Sequence, residues 1–213
     1  MSGVWCLTSR NREDMAKRFV QSCVPHEAIL WCDGCSYDFD HDWLQIESEH
    51  IGIGAAMNRV FEMYPDADFY GWLADDLIPH TKGWDVELAK TAEDRYLVSC
   101  NDMWLRGRKD DGSPWVTGAI CLGGDLVRAM GWWAPPGMFQ MYIDTVWVAV
   151  ARRFDLLRYR DDIVVEHLHR VNKKREPDQT DRDNPRVAQD RIDYEKYKND
   201  EGLMQRVEAL CKA

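Results

Sequence analysis

Two adjacent aspartates, Asp75 and Asp76, come directly after an apolar run of residues that ends at Ala74. Carboxylates at the end of a buried strand lie where water is partly excluded, and they repel one another there unless a cation or a base shares the site. A hard divalent ion such as Mg²⁺ or Mn²⁺ takes oxygen ligands, often one or two carboxylates together with substrate phosphates. The pair therefore predicts a metal site that holds a nucleotide diphosphate. On spacing alone, the alternative is a solvated turn before a helix.

Polar residues also follow the first two predicted strands. The loop at 8–12 places Thr8, Arg10 and Arg12 at the start of a helix, where unpaired backbone N–H groups and arginine side chains favour an anion such as a pyrophosphate. Simple capping of that helix is the alternative. In the next loop Asp33 ends an apolar run, so its carboxylate could accept hydrogen bonds from a ribose or a base. An Asp-Gly pair suits an ordinary turn equally well.

Short apolar runs alternate with helical patterns along the first two thirds of the chain, which predicts an α/β domain with a largely parallel sheet. The predicted strands are 4–7, 28–32, 68–73, 96–100, 116–122, 156–159 and 163–166. Apolar residues at helical spacing predict helices over 15–23, 53–64, 143–154 and 203–211. The polar stretch 172–190, which contains two prolines, predicts an extended or mobile segment.

The composition describes an ordinary globular chain of 213 residues with 45% hydrophobic residues and a formal net charge of −10. That charge argues against a protein that coats nucleic acid non-specifically. Residues 152–175 nevertheless contain eight Lys or Arg and four Asp or Glu, so a basic lip for a pyrophosphate or a polyanionic acceptor competes with a mixed solvated surface. We expect a cytoplasmic protein, because neither a membrane-spanning run nor a signal-peptide layout is present.

The seven cysteines favour reduced, mostly buried thiols. Cys32 and Cys35 form a C-x-x-C pattern, but the chain lacks the second pair that a zinc site needs.

The motifs occur in an order that resembles GT-A glycosyltransferases. The segment from Ala74 to Asp76, followed by a proline and a helix at Gly83, is similar to their D-x-D segment, with Ala74 in place of the first acid. Residues 51–59, with two glycines and Asn58, are similar to the helix before it. Four further segments extend the resemblance over residues 3 to 175: 116–119, which includes Thr117 and Gly118; 130–132; 142–144; and 165–169.

The resemblance implies a single Rossmann-like GT-A domain at 1–171, with a mostly parallel sheet flanked by helices, and a polar segment with a C-terminal helix at 172–213 that packs on it. It implies a Mn²⁺- or Mg²⁺-dependent hexosyl- or pentosyltransferase that uses a nucleotide sugar, with UDP as the expected nucleotide, and inverts the anomeric centre. It assigns the roles as follows: Asp144 as catalytic base; Thr8, Arg10, Arg12, Asp33, Asn58, Asp75 and Lys173 to the donor; Asp76, His167 and His169 to the metal; Gly118, Trp132, Trp133 and Tyr142 to the acceptor.

Two departures from the family pattern affect these roles. Ala74 removes one carboxylate, which leaves Asp76 as the better ligand. Ile143 replaces an acid beside Asp144, which leaves a single base, and an acid in the first turn of a helix can also serve only the helix dipole. Trp132 and Trp133 suggest exposed indoles that stack on a sugar or base, with a place in the core as the alternative.

The acceptor and the reaction class each leave alternatives. Compact enzymes of this kind resemble bacteriophage glycosyltransferases that modify hydroxymethylated pyrimidines in DNA. The target base must leave its stack to expose the hydroxyl, and tryptophan rings could stack on it. A nucleotidyltransferase that makes an activated sugar shares the layout, but the 8–12 loop has no glycine. A degenerate module that only binds a nucleotide or a glycan is the non-enzymatic alternative.

Overall fold

The computed structural model describes residues 2–22, 27–105, 115–116, 118–182 and 185–213, without the side chains of residues 172 and 181. Predictions that include Cys23 and Thr117 lie partly outside the described residues. Eight strands are present in the described part: β1 Val4–Ser9, β2 Ala28–Asp33, β3 Leu44–Ser48, β4 Phe69–Ala74, β5 Leu77–Pro79, β6 Leu97–Asn101, β7 Ile120–Gly123 and β8 Leu157–His167. The helices are α1 Glu13–Ser22, α2 Ile53–Met63, α3 Trp84–Ala92, α4 Gly124–Met130, α5 Ile143–Arg153, α6 Gln179–Arg182, α7 Val187–Tyr197 and α8 Glu201–Lys212.

The strands form one curled sheet in the spatial order β3-β2-β1-β4-β7-β6-β8-β5. The four strands from β3 to β4 are parallel, β7 is antiparallel to both of its neighbours, and β8 is parallel to β6. The α/β fold class predicted from the alternating pattern is therefore confirmed.

Strand β1 lies in the middle of the parallel part and is buried along its whole length. Its side chains alternate between two apolar clusters, with Val4 and Cys6 on one face and Trp5 and Leu7 on the other. Both faces of a parallel sheet are covered by helices, which explains the uninterrupted apolar run. Gly71 is the partner of Trp5 on β4, and a Cβ there would lie 2.1 Å from the indole, so only glycine makes room for that ring.

Several predicted boundaries are wrong. The two predicted strands 156–159 and 163–166 form the single strand β8, with a register shift opposite Cys100 and Asn101. The predicted strand 116–122 begins only at Ile120 in the structure. Strands β3 and β5 are absent from the sequence prediction, because one is partly exposed and the other has three residues.

The polar stretch predicted to be extended or mobile contains α6 and the start of α7. Helix α7 has few apolar residues, but it buries Asp190 and Tyr197 against the body. The predicted C-terminal helix is present as α8, whose residues Leu203, Met204 and Val207 join the same apolar cluster as α2, α4 and α5. No helix among the described residues is long and apolar enough to cross a membrane.

Candidate active site

A cleft of about 350 Å³ opens at the carboxyl edge of the sheet. Strands β1, β2 and β4 end together there, since Thr8 pairs with Ala74 and Ser9 pairs with Cys32. Ligands of open α/β sheets gather at this edge. Eleven of the residues predicted from the sequence line the cleft: Thr8, Arg10, Arg12, Asp33, Asp75, Asp76, Gly118, Tyr142, Asp144, His167 and His169.

Asp75 is 4% exposed and faces the first loop. One carboxylate oxygen accepts a hydrogen bond from Ser9 Oγ at 2.8 Å, and the other pairs with Arg12 Nη1 at 3.0 Å. Burial raises the pKa of Asp75 to about 6, against the attraction of the Arg12 guanidinium, and the neighbouring Asp76 raises it further. Asp75 is therefore the more easily protonated member of the carboxylate pair.

Asp76 is held in place by a short strand pairing. Strand β5 runs antiparallel to the end of β8, so that Leu77 pairs with His167 and Leu168 N donates to Asp76 O at 2.8 Å. This register brings His167 Nε2 within 3.0 Å of Asp76 Oδ1, while Arg175 Nε lies 3.1 Å from Oδ2. Burial opposes ionisation of Asp76, but the hydrogen bond with His167 and the charge of Arg175 hold its pKa below the usual range. Asp76 is thus a carboxylate at neutral pH.

His167, at the end of β8, and His169, in the following turn, differ in the hydrogen bonds that their ring nitrogens make. His169 Nδ1 accepts a hydrogen bond from Val171 N at 3.2 Å, so a neutral ring carries its proton on Nε2 and has no lone pair to offer a metal there. Its ring stacks on Trp104, with centroids 5.2 Å apart. Burial, and then the proximity of His167, lower the pKa of His169. His167 is the better placed ligand, because Nε2 lies beside the Asp76 carboxylate and would offer a lone pair to a metal there once the ring proton is on Nδ1.

The residues around Asp76 fit a divalent ion that is completed by a substrate. No group of three or more His, Cys, Asp or Glu side chains among the described residues is placed to hold a metal by itself. One carboxylate and one imidazole are suitable ligands for Mn²⁺, which commonly takes its remaining ligands from phosphates and water. Arg175 would have to release Oδ2 of Asp76, and it would then lie beside those phosphates.

Asp33, predicted to contact the nucleoside, has its oxygens engaged within the protein. They accept hydrogen bonds from Ile51 N at 2.7 Å and from Gly52 N at 3.2 and 3.3 Å, and Oδ2 lies 2.7 Å from His50 Nδ1. The carboxylate therefore anchors the loop that precedes α2. His50, which is hydrogen-bonded to Asp33, also lines the cleft. Asp33 therefore orients the His50 ring toward the space that a ligand would occupy.

The opposite wall of the cleft comes from residues 139–144, which lead into α5. Asp144 lies in the first turn of α5 and accepts a hydrogen bond from Thr145 N at 2.8 Å. Tryptophans and a tyrosine also line the cleft and give it flat apolar surface. These rings belong to Trp72, Trp104, Trp115, Trp147 and Tyr142.

Four residues predicted for the site lie outside the cleft. Trp132 and Trp133 are 7% and 0% exposed and belong to the core, so the expectation of exposed indoles is corrected. Asn58 bonds Ala134 and the amide of Trp133 instead of facing the cleft. Lys173 is exposed, in a left-handed turn after β8.

Several residues of the cleft were not predicted. Arg175 appeared in the sequence only as part of a basic run, and Asp178 gave no signal. In the structure Asp178 binds Arg12 at 2.7 Å and lies 3.6 Å from Arg175 Nη1, and Thr180 Oγ1 donates to Arg10 O at 2.8 Å. The contacts of Asp178 with Arg12 and of Thr180 with Arg10 join positions more than 160 residues apart, which no local pattern reveals.

No protein-family model matches the chain, and a search of the curated proteins by sequence finds no match. Solved structures share its fold. A mannosyltransferase from Pyrobaculum calidifontis, in complex with GDP-Man and Mn²⁺, has a TM-score of 0.55 at 13% identity over 98% of this chain and 73% of its own.

The catalytic domain of Drosophila β1,4-galactosyltransferase 7, in complex with xylobiose, has a TM-score of 0.52 at 14% identity over 83% of this chain and 74% of its own. A mutant of that enzyme with manganese, UDP-Gal and xylobiose has a TM-score of 0.50 at 14% identity over 84% of this chain and 76% of its own. The chain therefore has the fold of GT-A glycosyltransferases.

Proposed function

We propose that this protein is a metal-dependent glycosyltransferase that moves a sugar from a nucleotide sugar to an acceptor hydroxyl. One observation carries the proposal. In a GT-A fold, the carboxylates of Asp75 and Asp76 and the carboxylate of Asp144 line the same cleft at the carboxyl edge of the sheet. The first two serve a donor diphosphate, and the third lies on the wall where an acceptor would enter.

Asp76 and His167 hold the divalent ion, which neutralises the charge that develops on the leaving diphosphate. Arg10 and Arg12 lie at the start of α1, where arginine side chains and helix N–H groups bind phosphate oxygens. Asp75 accepts hydrogen bonds from the donor sugar or ribose. The mannosyltransferase neighbour carries GDP-Man and the galactosyltransferase neighbour carries UDP-Gal, and UDP is our choice here because of the sequence resemblance.

Asp144 removes the proton from the acceptor hydroxyl as that oxygen attacks the anomeric carbon. General base catalysis of this kind contributes about 10²- to 10⁴-fold in rate. Attack opposite the leaving diphosphate inverts the configuration. A single acid at this position is sufficient, since direct displacement needs one base and one stabilised leaving group.

The aromatic rings that line the cleft favour an acceptor with a flat face. Tyrosine and tryptophan rings stack on sugars and on nucleobases. A hydroxymethylated pyrimidine in DNA offers such a face and a primary hydroxyl, and we propose it as the acceptor. The basic residues of 152–175 do not form one lip, however. Arg158 lies nine residues before His167 on β8, a separation of roughly 30 Å at ~3.3 Å per residue. Of the basic residues at 152–175, Arg175 is the one that lines the cleft.

Release of the nucleoside diphosphate tests the reaction. The protein is incubated with UDP-glucose, UDP-galactose, GDP-mannose and the corresponding nucleoside monophosphate controls, with Mn²⁺ or with EDTA. We expect metal-dependent hydrolysis of at least one nucleotide sugar. Intact donors under every condition would contradict the proposed function.

A second assay tests the acceptor. Oligonucleotides with 5-hydroxymethylcytosine are compared with matched oligonucleotides that contain cytosine, and the products are weighed by mass spectrometry. A gain of one sugar only on the hydroxymethylated strand supports the DNA acceptor. Transfer to simple glycosides such as xylobiose, with none to the oligonucleotide, would overturn it.

A further inference from the structure

Residues 138–142 form the stretch of chain that enters α5 and sets the position of Asp144. Tyr142, at the N-cap of α5, has a φ of 66°, and its side chain makes no capping hydrogen bond. A non-glycine residue in the left-handed region is strained and persists where the surroundings hold it. The entrance to α5 must therefore be supported by other parts of the chain.

Asp190 of α7 supplies that support from one side. Its side chain is fully buried, at 0% exposure. Oδ1 accepts a hydrogen bond from Phe139 N at 2.8 Å, and Oδ2 accepts from Gln140 N at 3.0 Å and from Met141 N at 2.8 Å. Three successive amides thus bind one carboxylate, which is an expensive group to bury unless its hydrogen bonds are satisfied.

A second contact from α7 reaches the strained residue itself. Tyr194 lies one helical turn after Asp190, and its ring stacks on the ring of Tyr142 at a centroid distance of 5.7 Å and an angle of 20°. Helix α7 therefore binds the amides of residues 139–141 and also packs against the side chain of Tyr142.

Helix α2 holds the same segment from the other side. Gly54 N donates to Phe139 O at 3.1 Å, and a Cβ on Gly54 would lie 2.2 Å from Met138 O. A Cβ on Gly52 would lie 2.5 Å from the Phe139 ring. That ring packs edge-on against His50, at a centroid distance of 4.9 Å. The two glycines allow α2 to approach residues 138–139 closely from one side. Asp190 binds the amides of residues 139–141 from the other side.

We propose that Asp190 is a positioning residue that fixes the backbone of 139–141 and so places Asp144 for catalysis. This inference rests on the proposed function, in which Asp144 is the base. Asp190 does not line the cleft, and among the described residues its carboxylate accepts hydrogen bonds from main-chain amides, so it acts through Asp144 and Tyr142.

The test compares Asp190→Asn with Glu195→Gln, an exposed substitution on the same helix. The substrate is whichever of UDP-galactose, UDP-glucose and GDP-mannose the wild type hydrolyses with Mn²⁺. Water serves as the acceptor, so no native acceptor is needed. We expect Asp190→Asn to lower kcat at least tenfold and to leave the KM for the donor within twofold, whereas Glu195→Gln changes neither.

Amide hydrogen exchange provides a readout that is independent of activity. In Asp190→Asn, the amides of Phe139, Gln140 and Met141 should exchange at least tenfold faster than in Glu195→Gln. Unchanged exchange at these three amides would overturn the inference, and so would an unchanged kcat or a parallel loss of donor binding. A wild type that hydrolyses no donor would instead contradict the proposed function, and the exchange result would still decide whether Asp190 holds the segment.

If Asp190→Asn does not fold, Tyr194→Ala takes its place in both measurements. It removes the ring that supports Tyr142 and leaves the buried carboxylate in place. We expect a fall in kcat of about threefold with an unchanged KM for the donor. An unchanged kcat in this variant would contradict the support of α5 by α7.

Discussion

The two sides of the cleft are built in different ways. The proposed donor side consists of charged side chains at strand ends, where Asp75 pairs with Arg12 and Asp76 pairs with Arg175 at 3.0 to 3.1 Å. The proposed acceptor side is the segment 139–144, whose main chain is bound by Asp190 of α7. We expect a ligand to exchange partners with the first set without moving the backbone. The second set fixes a backbone shape, so we expect its residues to affect catalysis at a distance.

This difference determines how substitutions should act. On the donor side, the loss of one charge should remove binding of the metal and the donor. On the acceptor side, the loss of an anchor should lower turnover or stability and leave the donor bound. The following substitutions test that division.

The largest effect is expected for Asp76→Asn. The amide is a poor metal ligand, and it removes the counter-charge closest to the buried Arg175 guanidinium. We expect metal-dependent donor hydrolysis to fall about 10³-fold, which corresponds to the several kcal/mol that a metal supplies, and the free energy of unfolding to fall by about 3 kcal/mol. The measurements are nucleoside diphosphate release and urea unfolding. Asp42→Asn, on an exposed turn, is the control, and equal rates in the two variants would contradict a metal role for Asp76.

Asp144→Asn should have the next largest effect and should separate chemistry from donor binding. We expect transfer and hydrolysis to fall about 10²-fold, because the amide cannot accept the acceptor proton. The KM for the donor should stay within twofold, since Asp144 lies on the opposite wall. Steady-state kinetics measure both values. A rise in donor KM without a fall in kcat would place Asp144 in donor binding instead.

Asn58→Ala should affect stability and not donor binding. Asn58 Oδ1 accepts from Trp133 N and Ala134 N at 3.0 Å each, and Nδ2 donates to Ala134 O at 2.8 Å. Loss of these bonds leaves main-chain groups unpaired and should cost about 3 kcal/mol in the free energy of unfolding. Arg59→Ala, the exposed neighbour on α2, is the control. If Asn58→Ala is as stable as that control but no longer binds a nucleotide sugar, Asn58 belongs to the donor side as the sequence suggested.

The smallest effect concerns a thiol on the donor side. A hydrogen bond from Cys32, helped by backbone contact with Asn11, lowers the pKa of Cys35 to about 6 against the effect of burial. The thiolate fraction, and with it the rate of alkylation by iodoacetamide, should therefore rise with pH and reach half its maximum near pH 6. An ordinary thiol has a pKa of about 8.5.

Mass spectrometry of the alkylated peptide follows this reaction, and Cys35→Ser identifies its signal. Alkylation of Cys35 that increases only above pH 8 would show that Cys32 and the Asn11 backbone do not lower the pKa of this thiol.

The same division explains what the sequence could reveal. Donor residues such as Asp75, Asp76 and Arg12 directly follow buried apolar strands, and a parallel sheet brings such positions together. The α/β order of the first two thirds of the chain was also predicted, because buried apolar strands alternate there with helical patterns. The position of His167 beside Asp76 depends on β5, whose three residues are too few to show a periodic pattern.

The acceptor side was largely hidden because its contacts are long-range. Asp190 lies 51 residues after Phe139 in a polar stretch without an apolar stripe, which is why the start of α7 was predicted as part of an extended segment. Trp133 was placed in the site because two prolines and a glycine at 135–137 suggested a shaped loop beside it. Its ring instead fills the core, and its carbonyl accepts a hydrogen bond from Trp147 Nε1 at 2.8 Å. Asn58 was assigned to the donor, although its partners lie 75 and 76 residues away.

A thermal-shift measurement with nucleotide sugars tests the central claim most directly. A ligand that binds the native state must raise the melting temperature, by an amount that grows with the ratio of ligand concentration to Kd. We predict a rise with UDP-galactose, UDP-glucose or GDP-mannose that is larger with Mn²⁺ than with EDTA, and that is lost in Asp76→Asn. Identical melting temperatures with every nucleotide sugar, with and without Mn²⁺, would contradict a metal-dependent donor site at Asp75 and Asp76.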